Sequence, residues 1–98
     1  MVLTMRFEWD ENKNRLNQRK HGITFEFAAL VFDDPHAVSH PERFVDGEQR
    51  WLTLGSVETG AILVVAHTWI GEVEEVMRII SARKAKPQER RIYEEDRS

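Results

Sequence analysis

The chain has 98 residues, of which 41% are hydrophobic and 32% are charged, a composition typical of one globular domain with a single core. It contains no cysteine, which excludes disulfides, thiolate metal sites and a cysteine nucleophile. Its net charge of −3 argues against a nucleic-acid coat protein, and no apolar run approaches the roughly 18 residues of a membrane span. We therefore predict a single cytoplasmic domain over residues 1–98 that does not bind membranes.

The first predicted element is a strand over residues 3–9, where apolar and polar residues alternate loosely. Asp10 follows it and is a favourable N-cap for a polar helix over Glu11–Lys20. Gly22 stands just after this helix, at the position where a left-handed C-cap is expected.

A second helix is predicted after Thr24, which can cap it. Its apolar face has the spacing i, i+3, i+4 and i+7 and is formed by Phe25, Ala28, Ala29 and Phe32. Asp33-Asp34-Pro35 ends this helix. The next segment predicts a short strand over Ala37–His40, which Pro41 ends, and then a loop through Asp46-Gly47.

The second half of the chain predicts a meander of three strands followed by a helix. The strands are Gln49–Leu54, Ile62–Trp69 and Glu74–Ser81, the turns between them are Gly55–Gly60 and Ile70–Glu72, and the helix runs from Pro87 to Glu95. This order of elements predicts an α+β fold. We expect a mostly antiparallel sheet of four to five strands, two N-terminal helices and a C-terminal helix.

The hairpin registers decide which side chains share a face of this sheet. If the turn at 55–60 closes with Leu54 opposite Ala61, and if 71–72 is a two-residue turn, then Arg50, His67 and Arg78 lie on one face of three neighbouring strands. A slip of one residue in either turn would break this arrangement.

Arg83 has the opposite parity to Arg78, so it joins that face only if the strand ends or bulges near Ser81-Ala82. Arginines and a histidine on one face suit a phosphodiester, because arginine stays charged and binds phosphate oxygens while histidine moves protons near neutral pH. Each such residue alone is more often a surface or structural residue. Both interpretations stay open at this point.

His36 and His40 have the i, i+4 spacing of helical zinc ligands. Pro35 and Pro41 flank them, which disfavours a helix there, and no third ligand stands nearby in the sequence. We interpret both histidines as loop residues. We expect no metal site and no cofactor.

Three segments together resemble the BrnT toxin family. They are "FEWDENKNRLNQRKHGITFEFAALVFDDP" (7–35), "GEQRWLTLG" (47–55) and "RIISARKAKPQERRIYE" (78–94). The resemblance implies a RelE-like fold and a ribonuclease toxin of a type II toxin–antitoxin system, neutralised by a BrnA antitoxin. It also implies RNA cleavage without metal, by basic residues on the sheet.

The expected site combines this resemblance with the sheet face described above. Catalysis is assigned to Arg50, His67, Arg78 and Arg83. RNA binding is assigned to Lys20, His21, Lys84, Arg90 and Tyr93. The ribose 2′-hydroxyl is expected to attack the adjacent phosphate, with His67, or failing it a nearby lysine or glutamate, as base or acid.

Some residues depart from the family pattern. Phe27 replaces an expected glutamate, which removes a capping box with Thr24. Ile70 stands where many relatives carry arginine, and the acidic run 72–75 would repel phosphate. Ile70 and the net charge of −3 favour an alternative function, a catalytically inactive or weak module that binds an antitoxin.

The expected partners are an RNA substrate and a BrnA-like antitoxin that covers or borders the RNA-binding face. Basic residues on this chain would attract an acidic or amphipathic antitoxin segment. A 2:2 heterotetramer in which the antitoxin dimerises and binds DNA is one assembly that the resemblance implies. The net charge of −3 agrees with no direct DNA binding by this chain alone.

Overall fold

The computed structural model describes residues 4–71 and 74–97, so residue 3 of the first predicted strand and residue 72 of the second predicted turn lie outside the described residues. Its strands are β1 (Thr4–Glu8), β2 (Val38–Val45), β3 (Glu48–Ser56), β4 (Ile62–Ile70) and β5 (Glu74–Lys84). Its helices are α1 (Glu11–His21), α2 (Phe25–Ala28), which a 3₁₀ segment (Ala29–Asp33) continues, and α3 (Pro87–Arg97). The predicted α+β class is confirmed.

The five strands form one sheet in the order β1-β5-β4-β3-β2. The last three strands pair antiparallel, as predicted. β1 pairs parallel to β5, with Glu8 opposite Arg78, so the sheet is mixed rather than antiparallel throughout. Because a long stretch of chain separates these two strands, their connection is a crossover, which permits parallel pairing.

The first helix has the predicted caps and ends one residue later than predicted, at His21. Asp10 Oδ1 accepts from the backbone N–H groups of Asn12 and Lys13 at 2.8 and 3.2 Å. Gly22 has φ 72° and its N–H donates to the Gln18 carbonyl. These contacts satisfy helix-terminal donors and acceptors that would otherwise lack partners.

The second predicted helix is only partly correct. Thr24 Oγ1 caps it by accepting from the Phe27 N–H at 3.1 Å. After α2, however, the chain winds as a 3₁₀ segment, in which residues three apart share a face. Ala28 and Val31 are therefore both fully buried, and Val31 packs so closely on β3 that a Cβ at Gly55 would lie 2.6 Å from it.

The predicted strand over Ala37–His40 is longer than expected. β2 continues through Pro41 to Val45 because it is an edge strand, where a missing N–H costs no ladder hydrogen bond. Asp46 and Gly47, with φ 52° and 81°, then form the two-residue connection of a hairpin rather than a loop.

The core lies on both faces of the sheet. α1, α2 and the 3₁₀ segment cover one face, which we call the helix face. The buried residues there are Ile23, Phe25, Ala28, Val31, Val57, Leu63, Val65, Ile79 and Ala82. The opposite face carries a smaller cluster, formed by Leu54, Val64, Ala85 and Tyr93, and we call it the open face.

A buried asparagine joins α1 to β5 beyond the end of β1. Asn17 donates to the Ala82 carbonyl at 2.8 Å and accepts from the Ala82 N–H at 3.1 Å. Its amide thus takes the place of a neighbouring strand where β1 no longer reaches. This contact fixes the position of α1 beside the part of β5 that carries the arginines.

Candidate functional site

The first hairpin has a different register from the one expected. It closes with Ser56 opposite Ile62, which places Trp51 opposite His67. Residues directly opposite share a face and neighbours along a strand alternate. Arg50 therefore lies on the open face and His67 on the helix face, so the prediction that they share a face is wrong.

A β-bulge interrupts the pairing of β4 with β5. Ala66 lies opposite Ser81 and His67 lies opposite Ile79, so Ile80 has no partner on β4. An extra residue of this kind reverses the alternation of side chains along the bulged strand.

The bulge brings Arg78 and Arg83 to the same face. Arg78 lies opposite Thr68 and Arg83 lies opposite Val64, and these two β4 residues have the same parity. The condition stated for Arg83, a bulge near Ser81, is confirmed. Both arginines lie on the open face together with Arg50.

Four polar residues on the open face form a line across four strands. We call this line of residues the cross-strand row. Glu8 lies opposite Arg78, Arg78 lies opposite Thr68, and Arg50 is adjacent to Thr68 on the next strand. Strands are about 4.8 Å apart, so the row is about 14 Å long. Glu8 Oε1 lies 3.4 Å from Arg78 Nε.

Two atoms of the row lack hydrogen-bond partners. Arg50 Nε and Thr68 Oγ1 are buried, and neither has a partner among the described residues. Buried polar groups are nearly always paired, and an unpaired one calls for an explanation such as a catalytic role or a bound water or ion. The row therefore combines a carboxylate, two guanidinium groups and a hydroxyl with unused hydrogen-bonding capacity.

A cleft of about 390 Å³ opens at the Glu8 end of the row. Its lining residues are Glu8, Trp9, Asp10, Lys13, Arg78, Ile79 and Ile80. Sequence reasoning missed Glu8, Trp9, Asp10 and Lys13 as site residues, because only the parallel pairing of β1 with β5 brings them beside Arg78. The motif W-D-x-N-K, which contains three of them, was the available signal.

His67 is a structural residue of the helix-face core. It is 0% exposed and packs edge-on against Phe32, with ring centroids 4.9 Å apart. Its Nδ1–H donates to the Thr68 carbonyl at 3.0 Å, and its Nε2 lies 2.6 Å from Thr53 Oγ1. Burial lowers the pKa of His67 below its ordinary value, although the bond to Thr68 opposes this. RNA cannot reach the imidazole in this position.

Arg83 is already bound within the chain. Its Nη1 and Nη2 donate to the two carboxylate oxygens of Glu89 at 2.8 and 2.9 Å. These hydrogen bonds from Arg83 lower the pKa of Glu89 to about 2, and they raise the pKa of Arg83. Arg83 thus joins the end of β5 to the first turn of α3.

Tyr93 is likewise buried, with 1% exposure. Its hydroxyl donates to Asp34 Oδ2 at 2.5 Å, and the same oxygen accepts from the Ser56 N–H at 2.8 Å. Burial raises the pKa of Asp34, but hydrogen bonds from Ser56, Tyr93 and the His36 N–H lower it further than burial raises it. Tyr93 therefore attaches α3 to the sheet and is not on the RNA-accessible surface.

The model of a protein family described as "Ribonuclease toxin, BrnT, of type II toxin-antitoxin system" matches residues 9–89. The chain belongs to the BrnT family. Its fold is similar to the crystal structure of the Brucella abortus ribonuclease toxin BrnT at 1.1 Å resolution, with a TM-score of 0.66 and 28% identity over 85% of this chain and 99% of that chain. A comparison with curated proteins found no match.

Membership of the BrnT family confirms the resemblance that the sequence motifs predicted. The family consists of ribonuclease toxins of type II toxin–antitoxin systems, which implies an RNA target and an antitoxin partner for this chain. The matched range includes Arg50, Arg78 and Arg83 and stops short of Glu8 and Tyr93.

The remaining predicted RNA-binding residues lie away from the cross-strand row. Lys20 and His21 end α1 and line a shallow groove that also borders Ile80. Lys84 and Arg90 line another groove, near the first turn of α3. The structure therefore does not gather the predicted site residues into one surface.

Two expectations concern metals and membranes. Within residues 4–71 and 74–97, no three histidine, aspartate or glutamate side chains converge as metal ligands. His36 follows Pro35 outside any strand or helix, while His40 lies in β2 opposite Leu52. The described part of the chain contains no helix that is long and apolar enough to cross a membrane.

Proposed function

We propose that this chain is a metal-independent endoribonuclease toxin that cuts RNA at the cross-strand row and thereby inhibits translation in the cytoplasm. The observation that carries this proposal is the row itself, in which Arg78 has a carboxylate on one side and a hydroxyl followed by Arg50 on the other. An acid–base group and phosphate-binding groups side by side are what RNA cleavage without metal requires.

In the proposed reaction, the ribose 2′-hydroxyl attacks the adjacent phosphorus and the bond to the 5′-oxygen breaks. Glu8 takes the 2′-hydroxyl proton, in place of the buried His67, and water protonates the leaving oxygen. Arg78 and Arg50 bind the phosphate oxygens and stabilise the extra negative charge of the transition state. The products are a 2′,3′-cyclic phosphate and a 5′-hydroxyl end.

Arg83 and Tyr93 receive structural roles in this proposal. Arg83 uses both guanidinium branches on Glu89, and Tyr93 is buried against Asp34. Both hold α3 against one end of the open face. The cross-strand row lies at the other end of the strands and stays open to RNA.

The test is cleavage of single-stranded RNA by purified protein in EDTA, with the product ends identified chemically. We expect continued cleavage, ends with 2′,3′-cyclic phosphate, and a loss of about 10²–10³-fold in rate for Arg78→Ala. The matched control is Arg43→Ala, since the Arg43 side chain is 73% exposed on edge strand β2 and outside the row. RNA that stays intact in EDTA and is cut after addition of Mg²⁺ would contradict the mechanism.

A second candidate function is an antitoxin-binding module without ribonuclease activity. Ile70 favours it, since this exposed residue pairs with Val76 on the same face as the row and carries no charge. Expression in a bacterium separates the two. Growth arrest that a BrnA-like antitoxin relieves supports the ribonuclease, and normal growth supports the inactive module.

We further propose that the antitoxin partner is BrnA-like and covers the cross-strand row, so that binding and cleavage exclude each other. DNA binding by the complex is left to the antitoxin, in a 2:2 heterotetramer. Titration of antitoxin into a cleavage reaction tests the geometry, because cleavage that persists at saturation contradicts it. Light scattering of the purified complex tests the stoichiometry.

A further inference from the structure

We propose that the cleft at the Glu8 end of the cross-strand row binds a guanine base of the substrate, which makes the toxin cut after guanosine. This inference rests on the proposed ribonuclease function, since it concerns the nucleotide whose 2′-hydroxyl is activated. It assigns a specificity role to Asp10 and Lys13, two residues outside the row that line the cleft.

The position of the cleft suits the base of the attacking nucleotide. Glu8 and Arg78 belong both to the row and to the cleft wall. Because both residues border the cleft, a nucleotide with its phosphate on Arg78 and its 2′-hydroxyl at Glu8 can place its base in the cleft. The volume of about 390 Å³ falls within the range of small-molecule sites.

The walls of the cleft suit a flat, uncharged group better than a phosphate. Trp9 and Ile80 contribute aromatic and aliphatic surface, on which a base can stack or pack. Ile80 is the extra residue of the β-bulge, so the same irregularity that aligns the arginines also helps to form this wall.

Asp10 has one carboxylate oxygen available for a ligand. Oδ1 caps α1 by accepting from the N–H groups of Asn12 and Lys13. Both of these bonds use Oδ1, which leaves Oδ2 without a hydrogen-bond partner among the described residues. The cap fixes the carboxylate at the cleft, so its free oxygen is an oriented acceptor beside a cationic donor, Lys13.

This pair of groups matches the Watson–Crick edge of guanine. Guanine presents an acceptor, O6, next to two N–H donors, N1–H and N2–H, which are complementary to Lys13 and Asp10 respectively. Adenine and cytosine present an unprotonated ring nitrogen where the carboxylate needs a donor. Uracil has one N–H there, followed by a second acceptor that the carboxylate repels. Edge contacts of this kind are the usual source of base specificity in single-stranded RNA recognition.

Asp10→Asn is a sharp test because it separates capping from recognition. Asparagine caps helices as well as aspartate does, so its Oδ1 preserves the start of α1, while its NH₂ group replaces the free acceptor with a donor. Asp33→Asn is the matched control, since Asp33 is an exposed aspartate that does not line this cleft.

The measurement is the map of cut positions in a mixed-sequence single-stranded RNA in EDTA. We expect wild type and Asp33→Asn to cut after guanosine about tenfold faster than after the other nucleotides. Asp10→Asn should lose this preference and still cut RNA. Cleavage by wild type without preference for guanosine, or a preference that survives in Asp10→Asn, would overturn the inference and leave the ribonuclease function standing.

If no RNA is cut, the ribonuclease proposal fails. Binding of free nucleosides then tests separately whether the cleft is a guanine site. The probe is guanosine against adenosine, followed through the Trp9 indole N–H resonance, which a Trp9→Phe variant identifies. Tighter binding of guanosine that Asp10→Asn abolishes supports the base site. Equal binding of the two nucleosides, or no shift of the Trp9 resonance, contradicts it.

Discussion

Arg83 and Glu89 are joined by two parallel hydrogen bonds, from Nη1 to Oε1 at 2.8 Å and from Nη2 to Oε2 at 2.9 Å. Glu89 Oε1 also accepts from the Lys86 N–H at 2.8 Å. A guanidinium paired in this way with a carboxylate is a strong, oriented contact. It connects the end of β5 to α3 and occupies both terminal nitrogens of the family-motif residue Arg83.

Glu89→Gln should destabilise the fold in a pH-dependent way. The Glu89 pKa is lowered to about 2, so its contribution to stability is complete above the ordinary glutamate pKa and is lost as pH falls through about 4.5 towards 2. Because the side chain is partly exposed, we expect a loss of about 1 kcal/mol at pH 7. Urea unfolding at pH 7, 5 and 3.5 should show wild type and variant converging as pH falls. Glu94→Gln, an exposed carboxylate on the same helix, is the control.

Tyr93→Phe should lower stability and leave RNA affinity unchanged. The hydroxyl donates to Asp34 Oδ2 at 2.5 Å, and a hydrogen bond to a charged group contributes about 1.5–3 kcal/mol. The variant keeps the aromatic ring in the core, so the protein still folds. Chemical unfolding measures the stability, and fluorescence anisotropy with labelled RNA measures affinity. Weakened RNA binding at full stability would restore Tyr93 to the RNA site.

His67→Gln should leave RNA cleavage at the wild-type rate at temperatures where the variant is folded. The folded-state pKa of His67 is lowered, so the unfolded chain binds the extra proton first as pH falls. Wild-type stability therefore decreases as pH falls below about 6.5. His67→Gln should lack this pH-dependent loss of stability. Thermal unfolding between pH 8 and 5.5 measures it. A large fall in cleavage rate for the folded variant would contradict the structural role.

Local signals in the sequence predicted much of the fold. Asp10 and Gly22 mark the ends of α1 by capping chemistry that acts within a few residues. Pro41 was misleading, because a proline is compatible with a strand at a sheet edge, and only the strand order shows that β2 is an edge. The Asp46-Gly47 hairpin was a missed signal of the ordinary two-residue type.

The site was less predictable because it depends on register. One turn residue more or less exchanges the faces of a strand, which is why His67 was placed with Arg50 and lies instead in the core. Glu8 could not be found from the sequence, since its partner Arg78 is 70 residues away along the chain and the pairing is parallel. The sequence did not predict the bulge at Ile80. It predicted only that Arg83 would share a face with Arg78 if the strand ended or bulged near Ser81-Ala82.

Arg50→Ala and Arg78→Ala should weaken RNA binding most at low salt. Each phosphate contact adds about one to the slope of log affinity against log salt concentration, slightly less for single strands. We expect each variant to reduce this slope by about 0.7. Arg43→Ala should change neither slope nor affinity, because Arg43 lies in edge strand β2, away from the row. Equal slopes for all three variants would show that RNA does not bind along the cross-strand row.

Ile70→Arg should increase RNA affinity and cleavage. Ile70 is 48% exposed and lies opposite Val76, two residues along β4 from Thr68, so its side chain is on the same face as Arg78. An arginine there would add a phosphate contact, raise the salt slope by about 0.7, and remove an exposed apolar side chain. Phe44→Arg is the matched control, because Phe44 is 71% exposed and lies on the helix face, opposite Gln49. If both variants gain equally, the gain comes from net charge alone. If only Ile70→Arg gains, RNA extends along the open face from Arg78 past position 70.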